Sequence, residues 1–343
     1  MRLAFAAHQP SKGRLTIHPT PAVRTGAYMA HDLLRGMGKH LMISESSSCP
    51  GWTNDTVASW RSAAAWTAAL KITHITICRA HALTPEHWAQ LLALSVRTGI
   101  RLTLVCNGPL PHKTAKMLGS IEYRLIDDAR TASAHWRYTN RTGARSGYRW
   151  WQHRAAFPLG NDEPWITMPP QPLQPLTVQA TPLPVITTPA VVLPTPPMHD
   201  ITHPHTQLIA DRIHTRIAHP VHAACVALRS LTGYHTQQLK ALHRHTSSGL
   251  PPIPPWVRVL LDAAYHYAGL RGHPDTSNPL ATHARQHADI DQSLYHCRLV
   301  PSDRKPGDLH PVLHRQAVSP QEVMMRLRSS RRGQLENAPG PGM

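Results

Sequence analysis

Acidic residues are the scarce class in this sequence. It holds 19 Asp+Glu against 36 Lys+Arg in 343 residues, a formal charge of +17 and an isoelectric point near 10.4. That shortage excludes an electrically balanced surface and leaves one that attracts polyanions, of which nucleic acid is the commonest inside a cell. Phenylalanine is nearly absent, with 2 residues. That, with the low share of Lys relative to Arg, fits a biased genome composition that accounts for part of the charge. Cysteine is sparse and odd in number: Cys49, Cys78, Cys106, Cys225 and Cys297 stand far apart. No disulfide framework and no zinc-type Cys/His spacing follows from them, so a reducing cytoplasm is expected and no metal site is expected. No stretch of about 20 apolar residues is present, so no membrane span is expected. The first apolar stretch is broken by His8, Pro10 and Lys12, unlike a secretory leader.

What is abundant is histidine, 26 residues, and proline, 33. The histidines are mostly neutral at pH 7 and gain charge near pH 6. The prolines concentrate between Pro158 and Pro204, and no Lys or Arg lies between Arg154 and Arg212. Proline fixes φ and removes a hydrogen-bond donor, which excludes helix and central strand. An extended, semi-rigid spacer is expected there, part of it running along a domain surface at Trp165, Ile166 and Val191–Leu193. The chain therefore divides into an α/β domain over 1–157, a proline-rich linker over 158–206, a mainly helical domain over 207–332 and a tail over 333–343. No internal repeat is evident.

In the first domain, apolar runs at Leu15–Ile17, Leu41–Ser44, Ile72–Cys78, Ile100–Cys106 and Tyr123–Ile126 predict five strands. Helices are expected over Gly26–Gly38, from a cap at Thr53 or Asn54 through Leu70, and from a Thr84 cap with Pro85 at the first position to Gly99. Near-continuous apolar strands alternating with helices predict a parallel sheet covered on both faces. After the linker, helical spacing covers Ala210–Ala218, Pro220–Leu231, Thr236–His245, Pro255–Gly269 and Thr282–Arg298, and Ser319–Glu322 forms a capping box before a further helix.

The loop Pro21-Ala-Val-Arg-Thr-Gly26-Ala27-Tyr28 stands where a P-loop ATPase carries G-x-x-x-x-G-K-[ST]. That motif cradles phosphates with backbone N–H groups, neutralises them with Lys and holds Mg²⁺ with a hydroxyl. Gly26 is kept; Pro21 replaces the first glycine, Ala27 the lysine and Tyr28 the hydroxyl residue. The stretch Ile75–Leu83 resembles the Walker B region of AAA-type ATPases, roughly hhhDEAHxL. Ala80, His81 and Leu83 match, while Cys78 stands at the magnesium-binding Asp and Arg79 at the catalytic Glu. Asn107 falls where that family often keeps a polar sensor. The resemblance spans about Leu15 to Trp136 and implies a P-loop-like fold. Without the acidic pair nothing anchors the metal or orients a water, so neither ATP hydrolysis nor a cofactor is expected.

The segment Pro220 to Leu242 reads as a helix, a turn at Gly233 and a second helix, compatible with a helix-turn-helix. It is also similar to the start of the catalytic domain of tyrosine recombinases, roughly LxxLTGLRxxELxxLxW, with His235 in place of the catalytic Arg. Leu250–Leu261 and Asn278–Leu280 resemble that family's following segments. Leu309–Arg315 matches its H-x-L-R-H only loosely, and no tyrosine follows Tyr295. Strand cleavage is therefore not expected. A DNA-facing role is implied, with Arg229, His235, Lys240, Arg244, Arg315, Arg326, Arg328, Arg331 and Arg332 as candidate contacts. Arg149–Arg154 mixes tryptophans with cations, as single-strand binders do. The sequence thus supports a non-catalytic DNA-associated accessory protein. Two alternatives are an adaptor that docks a protein partner through the linker and a switch with residual nucleotide binding.

Overall fold

The computed structural model describes residues 3–4, 7–21, 25–41, 51–110, 112–138, 166–170, 204–232, 239, 253–271, 280 and 287–302. Three short strands, β1 (Arg14–Ile17), β2 (His74–Ile77) and β3 (Arg101–Leu104), lie parallel in the order β1-β2-β3. Their sequences are Arg-Leu-Thr-Ile, His-Ile-Thr-Ile and Arg-Leu-Thr-Leu. The register aligns them position by position: Arg14, His74 and Arg101; Leu15, Ile75 and Leu102; Thr16, Thr76 and Thr103; Ile17, Ile77 and Leu104. Side chains alternate between faces along a strand, and cross-strand partners share a face. One face of the sheet is therefore aliphatic and the other carries basic residues and threonines.

Topology accounts for this asymmetry. The strands advance in one direction, and each β-crossover-β connection is right-handed by strong preference, so both crossovers fall on one face. There lie α1 (Gly26–Gly36), α2 (Thr56–Ala69) and α3 (Pro85–Thr98), packed on one another. Gly36 permits the close approach of α1, because a Cβ there would overlap Cδ1 of Ile17. One reading of the sequence is corrected by this: the strands alternate rather than run continuously apolar. The polar face is covered as well, since Arg14, His74 and Thr76 are buried. A four-residue pattern recurs, once per strand.

The helix boundaries follow local chemistry. Thr84 Oγ1 accepts the His87 N–H at 3.3 Å, Pro85 fills the first position and Gly99 ends α3 with φ 69°. Asp55, rather than Thr53 or Asn54, caps α2 by accepting the Val57 and Ala58 N–H groups. Two further helices, α4 (His112–Leu118) and α5 (Ala129–Tyr138), follow β3. The expected strand at Tyr123–Ile126 does not form; Tyr123 and Leu125 are exposed. Most of the one expected at Leu41–Ser44 lies outside the described residues.

Beyond the proline-rich stretch come α6 (Pro204–Arg216), α7 (Pro220–Thr232), α8 (Pro255–Gly269) and α9 (His287–His296). These helices do not stand apart from the first ones. Helix α8 packs along α2, and one buried apolar cluster runs from Leu15 to Leu299. The Trp66 Nε1–H donates to the Ala218 carbonyl at 2.7 Å and the His40 N–H to that of Thr215 at 2.6 Å. Within the proline-rich stretch itself, β4 (Ile166–Pro170) pairs parallel with β5 (Leu299–Ser302). Proline is tolerated in such a two-stranded ladder, where each strand has one partner strand among the described residues.

The packing between the halves contains an uncommon group. Lys39 is fully buried, with its amine 3.4 Å from the centroid of the Trp66 ring. It has no hydrogen-bond partner among the described residues, and burial lowers its pKa well below the usual lysine range. The unfolded chain holds that proton up to about pH 10.4, so the fold gains stability as pH rises towards that value and loses it as pH falls. Lys39→Met is expected to raise stability at pH 7 by about 1–3 kcal/mol and to flatten the dependence between pH 7 and 9, measured by urea denaturation. The histidines give a second slope. Burial is the leading cause that lowers His31, His214 and His296, and it brings His74 down to about 4. Their contribution is complete above about pH 6.5 and is lost as pH falls through the folded-state values. The midpoint of denaturant unfolding is expected to decline steadily from pH 6.5 to pH 5.

Candidate functional site

The carboxyl ends of the three strands gather the residues of the loop resemblance. Pro21 is exposed on the turn after β1, and Gly26 opens α1. The turn is held by Asp32, whose carboxylate accepts the Thr20 N–H at 2.7 Å and hydroxyl at 2.8 Å and pairs with Arg35 at 3.1 Å. Ala27 is buried, whereas Tyr28 is 40 % exposed. After β2, Cys78 is fully buried, which pushes its thiol pKa up. Its N–H donates to the Ile17 carbonyl at 2.9 Å. Arg79 is exposed in the left-handed region, with φ 53°, and opens a tight turn over Ala80–Ala82. After β3, the Asn107 N–H donates to His81 Nδ1 at 3.4 Å. His81 and Asn107 are therefore loop neighbours.

The electrostatics at Gly26 oppose a phosphate. Three helix starts meet there: a Cβ on Gly26 would lie 2.9 Å from Glu86 Oε1, in the first turn of α3, and 3.0 Å from Thr56 Cγ2, at the start of α2. The positive ends of the helix dipoles attract anions, and here the chain supplies its own. Asp55 caps α2, and Glu86 lies against Gly26. The Trp60 indole donates to the Gly26 carbonyl at 2.9 Å and closes the same corner.

The position of β1 works in the same direction. Ligands of open α/β sheets lie where the strand order reverses. The order here does not reverse among the described strands. The outer edge of β1 is taken by the preceding segment: Gln9 and Arg14 exchange backbone hydrogen bonds, and the Thr16 N–H donates to His8 Nδ1 at 2.9 Å. Among the described residues no three His, Cys, Asp or Glu side chains converge to hold a metal ion. No helix there is long and apolar enough to cross a membrane.

The expected DNA contacts fare differently. Arg229 is only 6 % exposed and pairs with Asp291 at 3.1 Å, so its charge is neutralised inside the helical part. It is not a surface contact, which corrects that expectation. His235, Lys240, Arg244, Arg315, Arg326, Arg328, Arg331 and Arg332 lie outside the described residues. So do Gly233 with the second helix of the expected helix-turn-helix, and Arg149–Arg154. Sequence reasoning passed over the row Arg14, His74 and Arg101, whose signal is the basic residue that opens each strand.

No family model matches the chain, and no significant match is found among curated proteins or solved structures.

Restoring one missing group is not expected to restore the site. Ala27→Lys adds the cation but leaves Glu86 at the helix starts and Cys78 and Arg79 in place of the acidic pair. Calorimetry with ATP is expected to show no Mg²⁺-dependent binding in either the wild type or Ala27→Lys. Micromolar, Mg²⁺-dependent binding by the wild type would refute this account of the loop.

Proposed function

We propose that the chain is a non-catalytic, nucleic-acid-associated accessory protein, with DNA the favoured partner. The observation that carries this reading is how its few carboxylates are used. Asp32 holds the turn after β1, Asp55 caps α2, Asp128 accepts the Thr131 N–H at the start of α5, and Asp291 neutralises Arg229. Several cations, in turn, remain unpaired at the surface: Arg79, Arg101, Lys113, Lys116 and Arg124 are exposed and make no ion pair among the described residues. Such a surface binds phosphates through counterion release, which needs no reacting group. The non-catalytic part is supported by the residues themselves. Ala27, Cys78 and Arg79 supply neither a phosphate-neutralising lysine nor a magnesium ligand nor a general base.

Affinity for duplex or single-stranded DNA is expected to fall roughly tenfold or more between about 50 and about 200 mM salt. Fluorescence anisotropy titrations of the full-length chain measure this. No binding of either form at low salt would sink the reading.

A further inference from the structure

The amino-terminal edge of the sheet, opposite the loops described above, holds a cluster that no motif announced. The first residues of all three strands, Arg14, His74 and Arg101, are aligned in register on the polar face. Strands lie about 4.8 Å apart, so the row is about 10 Å long. Helix α5 adds His135, whose ring centroid is 5.7 Å from that of His74. Arg124, before α5, acts electrostatically on His135, as does Arg101. Five basic side chains thus share one edge.

Like charges placed side by side on neighbouring strands are unfavourable. Internal partners ease part of this row. The Arg14 guanidinium donates to the Gln9 side-chain carbonyl, and His74 Nε2 is 2.7 Å from Thr103 Oγ1. Arg101 and Arg124 remain exposed and make no ion pair among the described residues. His74 is 3 % exposed, and its Nδ1 has no hydrogen-bond partner among the described residues. Burial first, then His135, Arg101 and Arg14, bring the His74 pKa down to about 4. The local field is therefore positive, with no carboxylate among the groups acting on His74.

We propose that this edge binds the phosphodiester backbone of a nucleic acid, with Arg101 and Arg124 contacting phosphates and Arg14 supplying positive field behind them. This assignment rests on the nucleic-acid reading and locates its interface. A row of this length exceeds what one phosphate can neutralise, which favours a polymer over a small phosphate. A bound anion favours the protonated imidazoles, so binding takes up protons and affinity rises only as pH falls towards their lowered folded-state values, about 4 for His74.

The test is anisotropy with labelled duplex and single-stranded DNA on the full-length chain. The variants are Arg101→Glu with Arg124→Glu and, as a charge-matched control, Arg97→Glu with Arg258→Glu. Arg97 and Arg258 are also exposed. The first pair is expected to weaken binding by about tenfold or more at low salt and to reduce the salt slope by about 2, with a much smaller effect from the control. Hydrogen exchange of the wild type is expected to slow at 101–104 and 120–128 on adding DNA, a readout that needs no variant. Inorganic phosphate in the same experiment is expected to give no such protection. Equal losses from both variant pairs, or no loss from either, would overturn this interface while leaving the nucleic-acid reading intact. Protection by inorganic phosphate equal to that by DNA would overturn the choice of a polymer. Absence of any DNA binding by the wild type would overturn both.

Discussion

The structure depends on one alignment: three four-residue strands with the same alternation, paired in register. Because aliphatic positions face aliphatic positions across the sheet, one face can receive all the crossover helices. A slip of one residue would place Arg14, His74 or Arg101 among Leu15, Ile75 and Ile77, so burial on that face enforces the register. The same alignment unavoidably brings the strand-opening basic residues together. The apolar core and the positive edge are two results of one pairing.

Helix α2 extends this order to the rest of the chain. On one side it meets α1 and α3, and on the other α8. Its residues are small where two neighbours crowd it, as at Ala63, Ala65 and Ala69, and large at Trp60 and Trp66. Both indoles are satisfied by carbonyls of other elements, those of Gly26 and Ala218. A helix buried on most of its circumference has little amphipathic periodicity, and α2 has the composition of a central helix.

Much of the first half was legible in the sequence. The three strand positions, the Thr84 cap with Pro85, and the Gly99 stop follow from local chemistry that the fold did not override. Other features were not legible, for identifiable reasons. Asp55 was passed over because Thr53 and Asn54 are equally good caps, and only the start at Thr56 decides among them. The recurrent strand pattern is four residues long at irregular intervals, too short to stand out as a repeat. Arg229 reads as a surface contact until Asp291 is brought to it across 62 residues. The strand within the proline-rich stretch exists only through β5, far along the chain.

The Trp66–Ala218 hydrogen bond joins groups 152 residues apart. That separation has a consequence for biogenesis. At about 5–20 residues per second, synthesis of the intervening chain takes roughly 10–30 s. Throughout that interval the side of α2 that will meet α8 has no cover, and its indole has no carbonyl to bind. Closing so long a loop is also a slow entropic step. The sheet and its crossover helices can assemble early on the ribosome, but the nascent chain carries an unfinished apolar surface until α7 and α8 have emerged, which makes this period the one in which a chaperone matters most.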